Sequence, residues 1–139
     1  MIFAPPRPIG RDQDLSAFDC GRPALDDWLK RRALRNEASG ASRTYVVCER
    51  DEVVAYYCLA NGAVLQRDAP GRIRRNMPDP IPVMVIGRLA VDQRLHGQGL
   101  GAGLLRDALL RTTSAAEIAG IRAVLVHALD EEAAAFYRR

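Results

Sequence analysis

The chain has 139 residues, of which 48% are hydrophobic and 27% charged, and its net charge is +3. This is enough to bury one core and too little for two, so residues 1–139 are expected to form a single domain. No apolar run approaches the ~18 residues of a membrane span, and Pro5, Pro6 and Pro8 sit where a secretory leader would need an unbroken apolar stretch, so no signal peptide is expected.

In chain order, Gly21-Arg22-Pro23 opens a predicted helix that runs to about Ala38, with proline allowed in its first turn. Leu25, Trp28, Leu29 and Ala33 share one face of it, and Ser39-Gly40 ends it. Thr44–Cys48 and Val53–Leu59 read as two strands joined by the polar link Glu49–Glu52, an antiparallel hairpin. Residues 61–80, with Pro70, Pro78 and Pro80, read as a long loop holding one helical turn at most. Pro82–Val91 is a buried strand interrupted by Arg88, and a helix is expected from Leu100 to Ala119, closed by Gly120. Ala123–Leu129 is a further apolar strand, and Asp130 then caps a helix expected to start at Glu131-Glu132 and to continue to Arg139. The order predicts an α/β domain with a mixed central sheet flanked by helices. Cys20, Cys48 and Cys58 are odd in number and lack metal-ligand spacing, and Cys48 and Cys58 lie in apolar, strand-like runs, so reduced core thiols in a cytoplasm and no metal are expected.

Between the buried strand and the long helix lies Arg94-Leu95-His96-Gly97-Gln98-Gly99-Leu100-Gly101. Glycine lets a backbone turn tightly and approach a ligand without a Cβ in the way. The free N–H groups of Gln98, Gly99, Leu100 and Gly101 would converge at a helix N-terminus, which is an anion site suited to a pyrophosphate. Gly97, Gly99 and Ala102 also fit G-x-G-x-x-A, but a dinucleotide fold needs an acid about 20 residues on and a parallel first unit. Here the next strand ends near Asp130 and the first hairpin is antiparallel. A P-loop is excluded because no Gly-Lys-Ser/Thr follows.

Arg94-x-x-Gly97-x-Gly99 resembles the coenzyme A signature of the GNAT superfamily of N-acetyltransferases. Gly87–Asp92 resembles that family's fourth strand, and Val126–Leu129 followed by Glu131–Tyr137 resembles its fifth strand and tyrosine-bearing helix. A narrower resemblance is to the GNAT toxins of type II toxin–antitoxin pairs. It is carried by Phe18–Gly21, Leu25–Leu29, Arg43–Val47, Arg74–Pro78, Arg88–Asp92 and Ala135–Tyr137. The resemblance implies the GNAT fold, here lacking the family's last C-terminal strands, which follow the tyrosine helix. It implies acetyl-CoA as acetyl donor, bound by Leu89, Ala90 and Val91 of the strand and by Arg94, His96, Gly97, Gln98, Gly99, Leu100, Gly101 and Ala102. The acceptor it implies is the α-amine of aminoacyl-tRNA, whose acetylation stops translation. A ribbon-helix-helix antitoxin and a second copy of the chain, as a homodimer, are the implied partners.

A free α-amine has a pKa near ~8, and an adjacent ester lowers it, so a neutral fraction exists at pH 7 without a strong base. Position and polarisation then matter more. A backbone N–H of Leu89–Val91 would hold the thioester oxygen, and Tyr137 would protonate the departing thiolate as general acid. His96 reads as a loop residue beside the cofactor and His127 as a core histidine. Of the 20 basic residues all but Lys30 are arginine, whose planar fork suits phosphate. Lys30, Arg31 and Arg35, with Arg74 and Arg75, are therefore the expected tRNA contacts, and Arg88 beside the acetyl site is expected to meet the acceptor end or to form a buried ion pair. Two other readings stay open: acetylation of a small amine or protein N-terminus, and a coenzyme A-binding module without activity.

Overall fold

The computed structural model describes residues 3–68, 71, 75, 77–127 and 134–138. A six-stranded sheet runs in chain order from β1 (Arg7–Pro8) through β2 (Arg43–Glu49), β3 (Glu52–Val64), β4 (Ile81–Val91) and β5 (Ala123–His127) to β6 (Ala134–Arg138). Every neighbouring pair is antiparallel except β4 and β5, which are parallel. The mixed sheet expected from the element order is therefore present.

Helices cover both faces. On one face α1 (Pro23–Arg31) and α2 (Ala33–Ser39) bury Leu29 and Ala33 against Phe18, Val46 and Tyr56. On the other, α3 (Leu100–Ala119) buries Leu104, Ala108 and Ala116 against Tyr57, Leu59 and Ile86. Each fully buried aliphatic or aromatic side chain contributes about 1.5–3 kcal/mol.

The single helix expected to run from Pro23 to about Ala38 is broken at Arg32 (φ −120°, ψ −31°). The sheet is twisted, and the break lets Leu29 and Ala33, both 0% exposed, stay on it. The hairpin forms as expected, with Arg50 and Asp51 at positive φ (53° and 67°), the backbone of a type I′ turn. β3 then extends through Asn61–Val64, which the polar, turn-forming residues had assigned to a loop. Pairing of Asn61–Val64 with Ile81–Met84 overrides that local preference.

The largest correction is at the C-terminal end. The helix expected from Glu131 to Arg139 is replaced, where the structure is described, by β6, in register from Ala123↔Arg138 to His127↔Ala134. A helix this short is marginal without packing. The edge of β5 instead satisfies the backbone of a segment whose Phe136 and Tyr137 suit a strand. The junction at 128–133, including Asp130, lies outside the described residues.

Candidate active site at the split between two parallel strands

β4 and β5 pair only from Val83↔Ala123 to Ile86↔Val126, although β4 continues to Val91. At the same point the β3–β4 register shifts between Cys58 and Leu59, leaving Gly87 without a partner on β3. Such a bulge increases local twist, and it occurs where β4 parts from β5. Among the described residues Gly87 to Val91 thus have an open edge.

The parity of hydrogen bonding says which residues face it. The Asp92 N–H donates to Val54 O at 2.8 Å. Antiparallel pairing then turns the backbone of Ala90 and Arg88 toward β3, and that of Leu89 and Val91 toward the open edge. Of the three strand residues expected to meet the acetyl group, Leu89 and Val91 present backbone there and Ala90 does not. His96 occupies part of the edge, with Nε2 at 2.7 Å from Val91 O. The carbonyl can only accept, so Nε2 carries the proton. Among the described residues the N–H groups of Leu89 and Val91 and the Leu89 carbonyl have no partner at the edge.

The loop delivers the second half of the site. Asp92, 2% exposed, accepts from the N–H of Arg94 (3.0 Å) and of Asp19 (3.2 Å) and from Arg94 Nε (2.9 Å). Burial works to raise its pKa. The hydrogen bonds from Arg94 and Asp19 outweigh burial and hold the carboxyl below its usual range. Arg94, expected beside the cofactor, is thereby tied back onto Asp92 and braces the loop. Gly97 and Gly99 both have positive φ (80° and 78°), a region costly to residues with a Cβ. Gly99 caps α3 without a side chain to accept from the helix, and the first turn carries no acid. The first bond of the helical ladder runs from Gly103 N–H to Gly99 O (3.1 Å). The N–H groups of Leu100, Gly101 and Ala102 precede it and are uncapped by side chains, which suits an anion. A Cβ built on Gly101 would stand 3.9 Å from Val91 Cγ2 and 4.0 Å from Leu89 Cδ2, so the helix start lies against the open edge.

The α1 face is different in kind. Arg88 Cζ lies 4.5 Å from the centre of the Trp28 ring, which itself stacks on Tyr56 at 5.9 Å. Arg88 has no carboxylate partner among the described residues, so the ion pair weighed from sequence is not formed there. Its guanidinium is half-buried in a cation–π contact. Through Trp28 it adjoins α1 and α2, where Lys30, Arg31, Arg32 and Arg35 are exposed and also form no ion pair among the described residues. Nothing in the spacing of Trp28 and Arg88 signals their contact, which only the fold creates. Arg75 is exposed, and Arg74 lies outside the described residues. Tyr137 stands on β6, opposite Val124, rather than on a helix. His127 ends β5 opposite Ala134. The three cysteines are free, and burial raises the thiol pKa values of Cys20, to about 11, and of Cys58.

Residues 11–139 match the acetyltransferase (GNAT) family. The chain is 53% identical over 135 residues to a tRNA-acetylating toxin of Mycobacterium tuberculosis, covering 97% of this chain and 81% of the relative. Among solved structures it is similar to AtaT complexed with acetyl-methionyl-tRNAfMet. There the TM-score is 0.80 and the identity 33%, over 88% of this chain and 75% of that one. It is similar also to a tyrosine-to-phenylalanine mutant of AtaT bound to the C-terminus of the antitoxin AtaR and acetyl-CoA. In that case the TM-score is 0.77 and the identity 32%, over 91% of this chain and 76% of that one.

Proposed function

As this chain belongs to the GNAT acetyltransferase family and is an N-acetyltransferase, we propose that it is a toxin that moves the acetyl group of acetyl-CoA to the α-amine of aminoacyl-tRNA and so stops translation. The observation that carries this reading is a juxtaposition. An open strand edge meets the uncapped start of a helix, and on the adjoining face Arg88 and the α1–α2 cations form no ion pair among the described residues. The first half suits a thioester on a pyrophosphate-bearing carrier, and the second suits a polyphosphate acceptor.

Bound acetyl-CoA supplies an activated acyl carbon. The N–H groups of Leu89 and Val91 hold the pantetheine arm and polarise the thioester oxygen. The uncapped N–H groups of Leu100, Gly101 and Ala102, with the exposed backbone of Gln98 and Gly99, receive the pyrophosphate. The acceptor amine attacks neutral, since its pKa near ~8 leaves it partly deprotonated at pH 7. Tyr137 serves as general acid toward the leaving sulfur. Arg88 holds the acceptor end of the tRNA, while Lys30, Arg31 and Arg35, with Arg74 and Arg75, hold its phosphates. A ribbon-helix-helix antitoxin, a homodimer and a cytoplasmic setting complete the proposal, and the structure of AtaT with the antitoxin AtaR supports an antitoxin partner. Among the described residues no helix is long and apolar enough to cross a membrane.

The decisive test offers labelled acetyl-CoA to charged tRNA, uncharged tRNA and a panel of small amines and peptides. Transfer to charged tRNA alone is expected. Transfer confined to a small amine or peptide would replace the tRNA reading with the other acetyltransferase reading, and donor binding without transfer to any acceptor would leave a binding module.

A further inference from the structure

The two halves of the proposed donor site belong to different elements. The open edge is β4, and the uncapped amides are the first turn of α3. The loop between them is braced at its start by Arg94 on Asp92 and then turns at two glycines of positive φ, beyond the reach of that brace. How α3 is seated on the sheet must therefore set the distance between edge and amides.

One side-chain network ties that seat to a segment far away in sequence. The Tyr57 hydroxyl, on β3, donates to the Asp107 carboxylate of α3. Burial, and then the Asp107 carboxylate, push the Tyr57 phenol above its usual range, so it remains a donor. Arg111 Nε donates to the same carboxylate at 2.9 Å, and its guanidinium lies over the Tyr45 ring with Cζ at 4.1 Å. Tyr45 stacks on Tyr57 at 5.3 Å. The remaining arm of the fork leaves this cluster: Arg111 Nη2 donates to Pro6 O at 2.9 Å. An ordinary i,i+4 ion pair on a helix has no need of that bond.

Pro6 closes a strap along α3. Phe3, Ala4, Pro5 and Pro6 line a cavity of about 250 Å³ together with Gln98, Gly99, Leu100, Gly103 and Leu104. Phe3 packs on the same core cluster as Leu100 and Leu104. The strap thus shares a cavity and, through Phe3, a core cluster with the turn of α3 that carries the uncapped amides. We propose that Arg111, acting through the backbone of Pro6 and the strap it anchors, is a positioning residue for the acetyl donor, holding the first turn of α3 at the spacing from Leu89 and Val91 that the donor requires. The inference rests on the donor reading of this site and is independent of the acceptor.

The test is calorimetric binding of acetyl-CoA alone to wild type, Arg111→Gln, Arg111→Lys, Phe3→Ala and the double variant Arg111→Gln/Phe3→Ala, each first checked for a cooperative melt. Arg111→Gln is expected to weaken binding roughly tenfold, the size of one lost positioning contact. Lysine can still reach Pro6 O but cannot span Asp107 and Pro6 with a planar fork, so it should restore part of the affinity. If both substitutions act by releasing one strap, the double variant binds no worse than Arg111→Gln. A folded Arg111→Gln with wild-type affinity overturns the proposal, as do effects that simply add in the double variant or a lysine no better than glutamine. If Arg111→Gln does not fold, Phe3→Ala and Arg111→Lys carry the test, and wild-type affinity in both overturns it. Wild type that fails to bind acetyl-CoA would instead remove the donor reading itself.

Discussion

The proposed donor side of the split, Leu89 to Ala102, is shaped by backbone, whereas the proposed acceptor side, α1 and α2 with Arg88, is shaped by side chains. On the donor side the ligating groups are N–H groups left over by a strand that parts from its neighbour and a helix that starts on glycine. Few side chains there are free to act: Arg94 is bound to Asp92 and His96 to Val91 O. On the acceptor side the backbone is helical apart from the break at Arg32, and the exposed groups include the guanidinium and ammonium ions of Lys30, Arg31, Arg32 and Arg35 on flexible stems. The first arrangement recognises a fixed shape. The second recognises charge density and tolerates variation in the molecule that brings it, as a reader of phosphate does.

The largest effect tests the chemistry where the two sides meet. Tyr137→Phe is expected to leave acetyl-CoA affinity unchanged and to lower acetyl transfer roughly 10²–10⁴-fold, read by single-turnover transfer to charged tRNA. Wild-type turnover would reduce Tyr137 to a strand residue and leave the split without an assigned acid.

Next is a break confined to the donor side. Gly99→Asp forces a side chain into φ 78° and puts a carboxylate where the pyrophosphate is expected. The steric strain alone costs about 1–2 kcal/mol, and charge repulsion adds to it. Coenzyme A affinity measured by calorimetry should fall about a hundredfold, with tRNA binding unchanged. Equal affinity in the variant would move the anion site elsewhere.

A smaller effect belongs to the acceptor side. Arg31→Glu with Arg35→Glu should weaken tRNA binding about tenfold at moderate salt and lower the slope of log affinity against log salt by about one per lost phosphate contact. Acetyl-CoA binding should not change. Filter binding across a salt series reads both quantities, and unchanged slopes would take α1 and α2 out of the tRNA surface.

The smallest sharpens the brace beneath the loop. Asp92 has a depressed pKa, so its contribution to stability is full above the unfolded value of about 3.9 and is lost as pH falls through the lower folded value. Asp92→Asn should cost about 1–3 kcal/mol at pH 7, as for a buried group deprived of charged hydrogen bonds. Denaturant midpoints across pH should converge for the two proteins below about pH 4. A constant difference down to pH 2 would show that Asp92 is not the titrating brace.

The parts legible in the sequence are those whose cause is local. Glycines 97, 99 and 120 mark where the backbone needs positive φ, and the α3 boundaries follow from Gly99 and Gly120 within the chain's own neighbourhood. Pro82–Val91 is apolar enough to be a buried strand anywhere, and the hairpin turn lies where a polar link separates two β-prone runs. Local preference failed where a distant partner outbid it. Asn61-Gly62 look like loop residues, yet β4 draws them into pairing, and Gly62 fits because a Cβ there would meet Val85 Cγ2 at 2.9 Å. The alanine-rich end near Tyr137 favours a helix by propensity, but the edge of β5 offers hydrogen bonds that propensity does not weigh.

The sequence by itself determined the donor loop, the helix that starts from it and the excess of arginine, because turns, periodicity and charge are written within a few residues of where they act. Only the tertiary structure decided the rest of the site. The Asp92 carboxylate accepts from Asp19, 73 residues away, and Arg111 reaches Pro6 across 105. Among the described residues Arg88 finds Trp28 rather than an acid, and Leu89 and Val91 turn their backbone away from β3 beyond the last β4–β5 pair, Ile86↔Val126. Such contacts follow from how helices seat on a twisted sheet, a property of packing among all the elements at once.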